Sequence, residues 1–366
     1  MKHIKFFILA CSMFLFLIGN HTSFVSVCEA EDTIKLTFST MFPSTHMNGV
    51  VAQKFADVIK ERTNGRVEIT VFPGGSLSSP RKCYHGVVKG ISDIGGSCQL
   101  YVQGRFPATE LFELPHYVPN AWVNDQVIDD FYRHFKPKEY DDVHVLYLHG
   151  PGHAVLQSAK RLVDEPADFK GMSVRASGTS AEVIKAWGGT PRTMPMGEVY
   201  EALAKNVAEA NFAYLETLKG YQHADVVKYV SKFPVSCSSC QFVVMNKEKW
   251  NALPEDIQKI FTETSAEFLD KHGQAWNFID NEGLEYFLSL GKGRKYIEIP
   301  QEERPKWEEI VKPIMEKYIK EKTAMGLPAQ EYIDYVQERT QYYSQRQPTP
   351  EQCAKTVKEW IPNYLK

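Results

Sequence analysis

"FADVIKERTNGRVEITVFPGGSL" (residues 55–77) carries three signals in a row. Phe55, Val58 and Ile59 recur at helical spacing, and with Val50 and Val51 before them they make one apolar face. Asn64-Gly65 then supplies residues that tolerate positive φ where a helix must stop. From Arg66 to Phe72 the chain alternates polar and apolar, as a half-buried strand does, and Pro73-Gly74-Gly75 turns it. The alternation at Ile34–Ser39 precedes this unit. Ser78-Ser79-Pro80, a helix start, and the strand-like "ISDIGG" (91–96) follow it. Such a β-α-β-α-β run predicts an α/β domain with a mostly parallel sheet.

Further along, "PHYVPN" (115–120) reads as a loop, and "VHVLYLHG" (143–150), "HAVLQS" (153–158) and "MSVRAS" (172–177) read as strands. A helix from Ser180 to Trp187, the short "TPRTMP" (190–195), a helix over 197–205 and the strand-like "VAEANFAYL" (207–215) follow. After "DVVKYV" (225–230) and "QFVVMN" (241–246), residues from Pro254 to Leu290 form one helical pattern. At 1.5 Å per residue it runs about 50 Å, long enough to brace two domains. From "ERPKWEEIV" (303–311) to the end the pattern stays helical, interrupted at Pro328, Pro348 and Pro350.

Composition sets the outer bounds. The 366 residues are 43% hydrophobic, 12% aromatic and 24% charged, a globular mixture long enough for two domains. A formal charge of −3 gives no hold on nucleic acid. Lys2 and Lys5, the apolar run Phe6–Gly19 and Cys28-Glu29-Ala30 have the three regions of a secretory signal, with cleavage after Ala30. The run falls short of the roughly 20 residues a bilayer span needs. Lipidation at Cys28 is disfavoured by Val27. The expectation is an exported, periplasmic protein.

Of seven cysteines, Cys11 and Cys28 belong to the signal, leaving Cys83, Cys98, Cys237, Cys240 and Cys353. An odd number leaves at least one unpaired or bridging to another chain, and this chain is too long for five to form a disulfide scaffold. Cys237-Ser238-Ser239-Cys240 invites a thiol oxidoreductase. A redox pair normally opens a helix, though, and here an apolar strand pattern follows. His144, His149 and His153 alternate sides of a strand and turn, so they do not converge on a metal. No Gly-x-Ser-x-Gly elbow, phosphate loop or His-Glu-x-x-His stands in the sequence.

The residue that asks for a partner is Arg175. It ends the strand in "KGMSVRASG" (170–178), and Ala176, Ser177 and Gly178 leave room beside it. A guanidinium matches a carboxylate bidentately, and Ser177 and Thr179, before a helix, offer further donors. The competing reading is a solvated surface charge.

Four segments in order resemble the solute-binding proteins of the tripartite ATP-independent periplasmic (TRAP) transporters, dicarboxylate-type branch. They are "FADVIKERTNGRVEITVFPGGSL", "DFKGMSVRASG" (168–178), "GGTPRTMPMGEVYEAL" (188–203) and "VVMNKEKWNALPEDIQK" (243–259). The resemblance implies a two-lobed α/β fold with a ligand cleft between lobes, a long bracing helix and C-terminal helices. One lobe would comprise 31–152 plus 241–280, the other 153–240 plus 281–366. Arg175 would grip the carboxylate of an organic acid, with Met196 on the pocket wall. Phe42, His46 and Tyr101 would contribute from the first lobe. Family members deliver their solute to an ion-gradient-driven membrane permease and use no cofactor, metal or enzymatic step.

The chain departs from the family in two places. Glu209-Ala210 stands where many relatives have Asp-Gly. Ala154 to Gln157 stands where some sugar-acid binders carry a second arginine. With Gln157, Asn211, Phe212 and Tyr214 around it, the pocket is expected to be apolar and aromatic and to favour a monocarboxylate. Two rival readings are a sensor subunit presenting the acid to a receptor, and a thiol enzyme built on Cys237 and Cys240.

Overall fold

The computed structural model describes residues 33–116, 118–291 and 293–365. The expected signal lies outside them. Strand β1 (Ile34–Thr40) leads into α1 (Met47–Arg62) and β2 (Val67–Phe72), and β1 pairs in parallel with β2 from Ile34↔Val67 to Ser39↔Phe72. Positive φ at Asn64 and Gly65 closes the helix where that pair was expected to act. Then come α2 (Cys83–Val88), β3 (Ile94–Cys98), α3 (Ala121–Phe135) and β4 (Val143–His149).

The chain next enters a second sheet with β5 (Val155–Ser158), β6 (Ser173–Arg175), α4 (Thr179–Ala186) and β7 (Thr190–Arg192). It continues through α5 (Val199–Ala204), β8 (Ala210–Ala213), α6 (Thr217–Gly220) and β9 (Tyr229–Lys232). It then returns to the first sheet as β10 (Gln241–Asn246). Helices α7 (Lys247–Asn251) and α8 (Glu255–Ser289), strand β11 (Lys295–Glu298) and helices α9 (Arg304–Ala324), α10 (Ala329–Ser344) and α11 (Pro350–Trp360) complete it.

The sheets run β2-β1-β3-β10-β4 and β11-β9-β5-β8-β6-β7. Neither is wholly parallel: β10 lies antiparallel between β3 and β4, and β5 antiparallel between β8 and β9. Both are strands that have just crossed from one sheet to the other. All six residues of β10 are buried because both of its faces are covered. Phe242 and Val244 meet the α2, α3 and α10 layer, while Val243 and Met245 meet the α1 and α8 layer, in the manner of a doubly covered strand.

Helix α8 justifies its length. Ile257, Phe261 and Phe268 pack into the first sheet's core, and Phe287 into the core that Val155 and Val230 form under the second. The C-terminal helices divide. Helix α9 rests on α4, whereas α10 lies on α3 and α11 on α8. Residues 281–366 were expected with the second lobe, but the apolar faces of α10 and α11 find their partners on elements flanking the first sheet. Among the described residues no helix is long and apolar enough to cross a membrane.

Candidate functional site

Arg175 ends β6, in register with Asn211 of β8 and Arg192 of β7, so three strands fix where its side chain starts. It is 4% exposed. Its Nε and Nη2 donate to the Met194 carbonyl at 3.1 and 2.8 Å, and Nη2 also to Tyr101 Oη at 3.4 Å. Among the described residues no carboxylate comes within 4.0 Å of it, and Nη1 has no protein acceptor. This is a charge taken out of water and given only neutral partners, an arrangement that costs several kcal/mol until an anion joins it.

Arg175 opens onto a partly open chamber, with about 530 Å³ of space free of protein atoms when the adjoining solvent is counted. Phe42, Tyr101, Met196, Phe212 and Tyr214 line it. Tyr101 accepts the Met196 N–H at 3.1 Å as well as the arginine, which leaves its own O–H without a protein acceptor. Tyr214 Oη bonds Ser239 Oγ at 3.1 Å, so its ring presents a face rather than a free hydroxyl. Gln241, at the start of β10, lines the chamber with a buried Oε1 that has no partner.

His46, Gln157 and Asn211 are not on the wall; they stand behind it. Gln157 Nε2 donates to the Tyr214 carbonyl and to Thr217 Oγ1, both at 2.8 Å, and so holds the turn that carries Tyr214. Asn211 faces Gln157 and His223. His46 caps α1 through Nδ1, stacks on Phe42 and reaches Glu216. The alternation of β8 explains Asn211: Phe212 faces one way, so its neighbour must face the other.

Wall residues that sequence reasoning missed come from elements with no local signal. Trp276 arrives from the middle of α8, edge-on to Phe42 and Tyr214, and Glu216 and Tyr221 flank α6. A tryptophan on a long amphipathic helix reads as core, and only the fold reveals the chamber beneath it.

Glu113, from the turn before α3, reaches across to the second sheet's layer. Its Oε2 accepts the Thr179 N–H at 3.1 Å, at the first turn of α4. Gly178 makes this contact possible. Its φ is +61°, and a Cβ there would stand 2.1 Å from Glu113 Oε2. The glycine after "RAS" therefore serves the approach of a carboxylate as well as the turn.

The thiol reading fails on chemistry. Cys237 and Cys240 are both buried and free, and β10 follows them as the sequence pattern expected. Burial pushes the Cys237 thiol up to about 12 and Cys240 well above its usual range, the reverse of what a reactive thiolate requires. The histidines also separate. His144 stacks on Trp250, and His153 bonds the Phe233 carbonyl. His149 meets Asp125 and His272, from α3 and α8, with ligand atoms within 4.8 Å of one another. Both Asp125 oxygens are engaged, by the Gly150 N–H and His272 Nδ1, and His272 Nε2 contacts Asn48. The cluster thus ties α8 to α1, α3 and β4.

A larger, more open groove of about 1140 Å³ lies beside α8 and the α10–α11 connection. Its carboxyl group, Asp280, already accepts the Glu216 N–H at 2.9 Å, and the groove offers no unpaired buried cation.

Residues 38–322 match the model of the bacterial extracellular solute-binding proteins, family 7. The chain is 24% identical over 257 residues to the 2,3-diketo-L-gulonate-binding periplasmic protein of Escherichia coli, covering 68% of this chain and 76% of that one. A TRAP periplasmic solute-binding protein from Desulfovibrio salexigens, solved in an open complex, superposes with a TM-score of 0.76 at 25% identity, over 86% of this chain and 98% of that one. One from Rhodoferax ferrireducens with copurified benzoate gives 0.79 at 22% identity, over 86% and 99%. The fold of two covered sheets is thus shared with these proteins, and the chain belongs to family 7 of the extracellular solute-binding proteins, the dicarboxylate-type solute-binding proteins of TRAP transporters.

Proposed function

We propose that the protein captures a small carboxylate with an apolar, ring-bearing body in the periplasm and hands it to the membrane permease of its transporter. The observation that carries the ligand class is Arg175, buried at the chamber wall with a carbonyl and a phenol for company and a free Nη1. A ligand carboxylate would take Nη1 and the unspent Tyr101 O–H together. The body would then lie among Phe212, Tyr214 and Trp276, a wall suited to a monocarboxylate rather than a polyhydroxylated sugar acid. The benzoate found in the Rhodoferax ferrireducens relative is a ligand of this kind. The signal-like residues 1–30 would direct export, in keeping with a periplasmic family. The lobes would be built on the two sheets, with α10 and α11 joined to the first. They would close over the acid by hinge motion.

A thermal-shift screen of small organic acids, followed by calorimetry on the hits, tests this reading, since a ligand specific to the folded state raises its melting temperature. Arg175→Ala should weaken binding of any hit by two decades or more, because breaking a buried pair costs about 3–5 kcal/mol. The variant should remain folded. Near-normal affinity in it would refute the proposed grip.

A further inference from the structure

Glu216 is a second charged group on the chamber wall, and the carboxylate grip does not use it. It is 3% exposed and placed from three directions. It sits at the start of α6, its backbone N–H donates to Asp280 of α8, and its Oε2 meets His46 Nε2 at 2.8 Å. The histidine is itself fixed. Its Nδ1 accepts the Asn48 N–H at the head of α1, which leaves the ring proton on Nε2, donated to Glu216. Stacking on Phe42 holds the ring plane.

The other oxygen of Glu216, Oε1, has no donor among the described residues and is not sealed off from the chamber. Nor is it answered by Arg175, which has no carboxylate within 4.0 Å. Tyr221, also on the wall, lies within electrostatic reach of both groups. Arg175 and Glu216 therefore line the same chamber without pairing with each other. Glu216 is thus held in place through one oxygen while the other stays available as an acceptor for a ligand donor.

We infer that the chamber is bipolar and selects acids carrying, besides the carboxylate, a hydroxyl or amine N–H, with Glu216 Oε1 as acceptor and His46 as its positioning residue. This rests on the carboxylate reading above and narrows it. Arg175 takes the acid group, the aromatic wall takes the ring, and Glu216 reads the second polar substituent. The plainer alternative makes Glu216 only a brace between α1, α6 and α8. A brace would affect all ligands alike.

Calorimetry on the full-length mature protein with two matched pairs, benzoate against 3-hydroxybenzoate and phenylacetate against 3-hydroxyphenylacetate, separates the two. In the natural protein the hydroxylated member of at least one pair should bind tighter by about tenfold or more, the scale of one hydrogen bond to a charged group. Glu216→Leu should bring that ratio to near one. Glu216→Gln, which keeps an acceptor and the shape of the wall, should stay folded and retain part of the preference. Equal binding within both pairs, or a ratio that survives Glu216→Gln and Glu216→Leu alike, would overturn the inference and leave the carboxylate grip standing. Failure of all four acids to bind, together with a blank thermal-shift screen, would overturn both.

Discussion

Glu113 shows how much one side chain can report about closure. Burial lifts its carboxyl to about 7 from an ordinary 4.5; neighbouring Glu110 adds to the rise, while the Thr179 bond and Lys322 oppose it. The folded chain thus holds the proton more tightly than the unfolded one. Its contribution to stability is complete below about pH 4.5 and is lost as pH rises through 7. Glu113→Gln keeps an oxygen for the Thr179 N–H and removes the ionisation. The melting temperature of the variant minus that of the natural protein should therefore climb between pH 5 and 8, as scanning calorimetry would reveal. A difference that stays flat across that range would show that folding does not raise this carboxyl's hold on its proton. Arg175→Lys belongs to the same scale: an ammonium keeps the charge but loses the planar fork, so affinity should fall between those of the natural protein and Arg175→Ala.

Among the elements, α8 is the one on which the two sheets most depend, and Gly283 is where it is most sensitive. A Cβ at that position would lie 2.2 Å from the Leu215 carbonyl oxygen, in the turn that leads to Glu216. Alanine is the better helix former by about 1 kcal/mol, so a free helix would welcome the change. Here Gly283→Ala should instead destabilise by about 1–3 kcal/mol through overcrowding, measured by urea denaturation, and should weaken acid binding by displacing the turn. The sequence already showed α8 as unbroken periodicity, and β1-α1-β2 through its stop signal and alternation. It did not show α3, whose apolar face of Val123, Val127, Ile128 and Phe131 is interleaved with polar residues and carries no Gly stop signal. Nor did it show the antiparallel sense of β5 and β10. Strand direction depends on where the chain has just been, and no local pattern of side chains records that.

At the scale of the whole molecule, the chamber was legible in proportion to its dependence on strand ends. Arg175, Phe212 and Tyr214 stand at or just past strands that could be read, and Phe42 and Tyr101 follow others. Trp276, Glu216 and Tyr221 come from α8 and the α6 region, brought in by tertiary packing alone. The same holds for Asp125, His149 and His272, which are scattered in sequence and joined only when α8 crosses α3 and β4.

Cys83, Cys98, Cys237, Cys240 and Cys353 all lie reduced beneath the folded surface. If the chain reaches an oxidising compartment unfolded, as the proposed export implies, it would display every one of them until it folds, in a race against wrong cross-links. The native protein lacking residues 1–30 should ignore a thiol-specific dye that labels its five cysteines once denatured. Denatured protein returned to buffer should recover well with reductant present and poorly, with scrambled bridges, under oxidised glutathione. Speed of burial, and no covalent staple, is what guards the product.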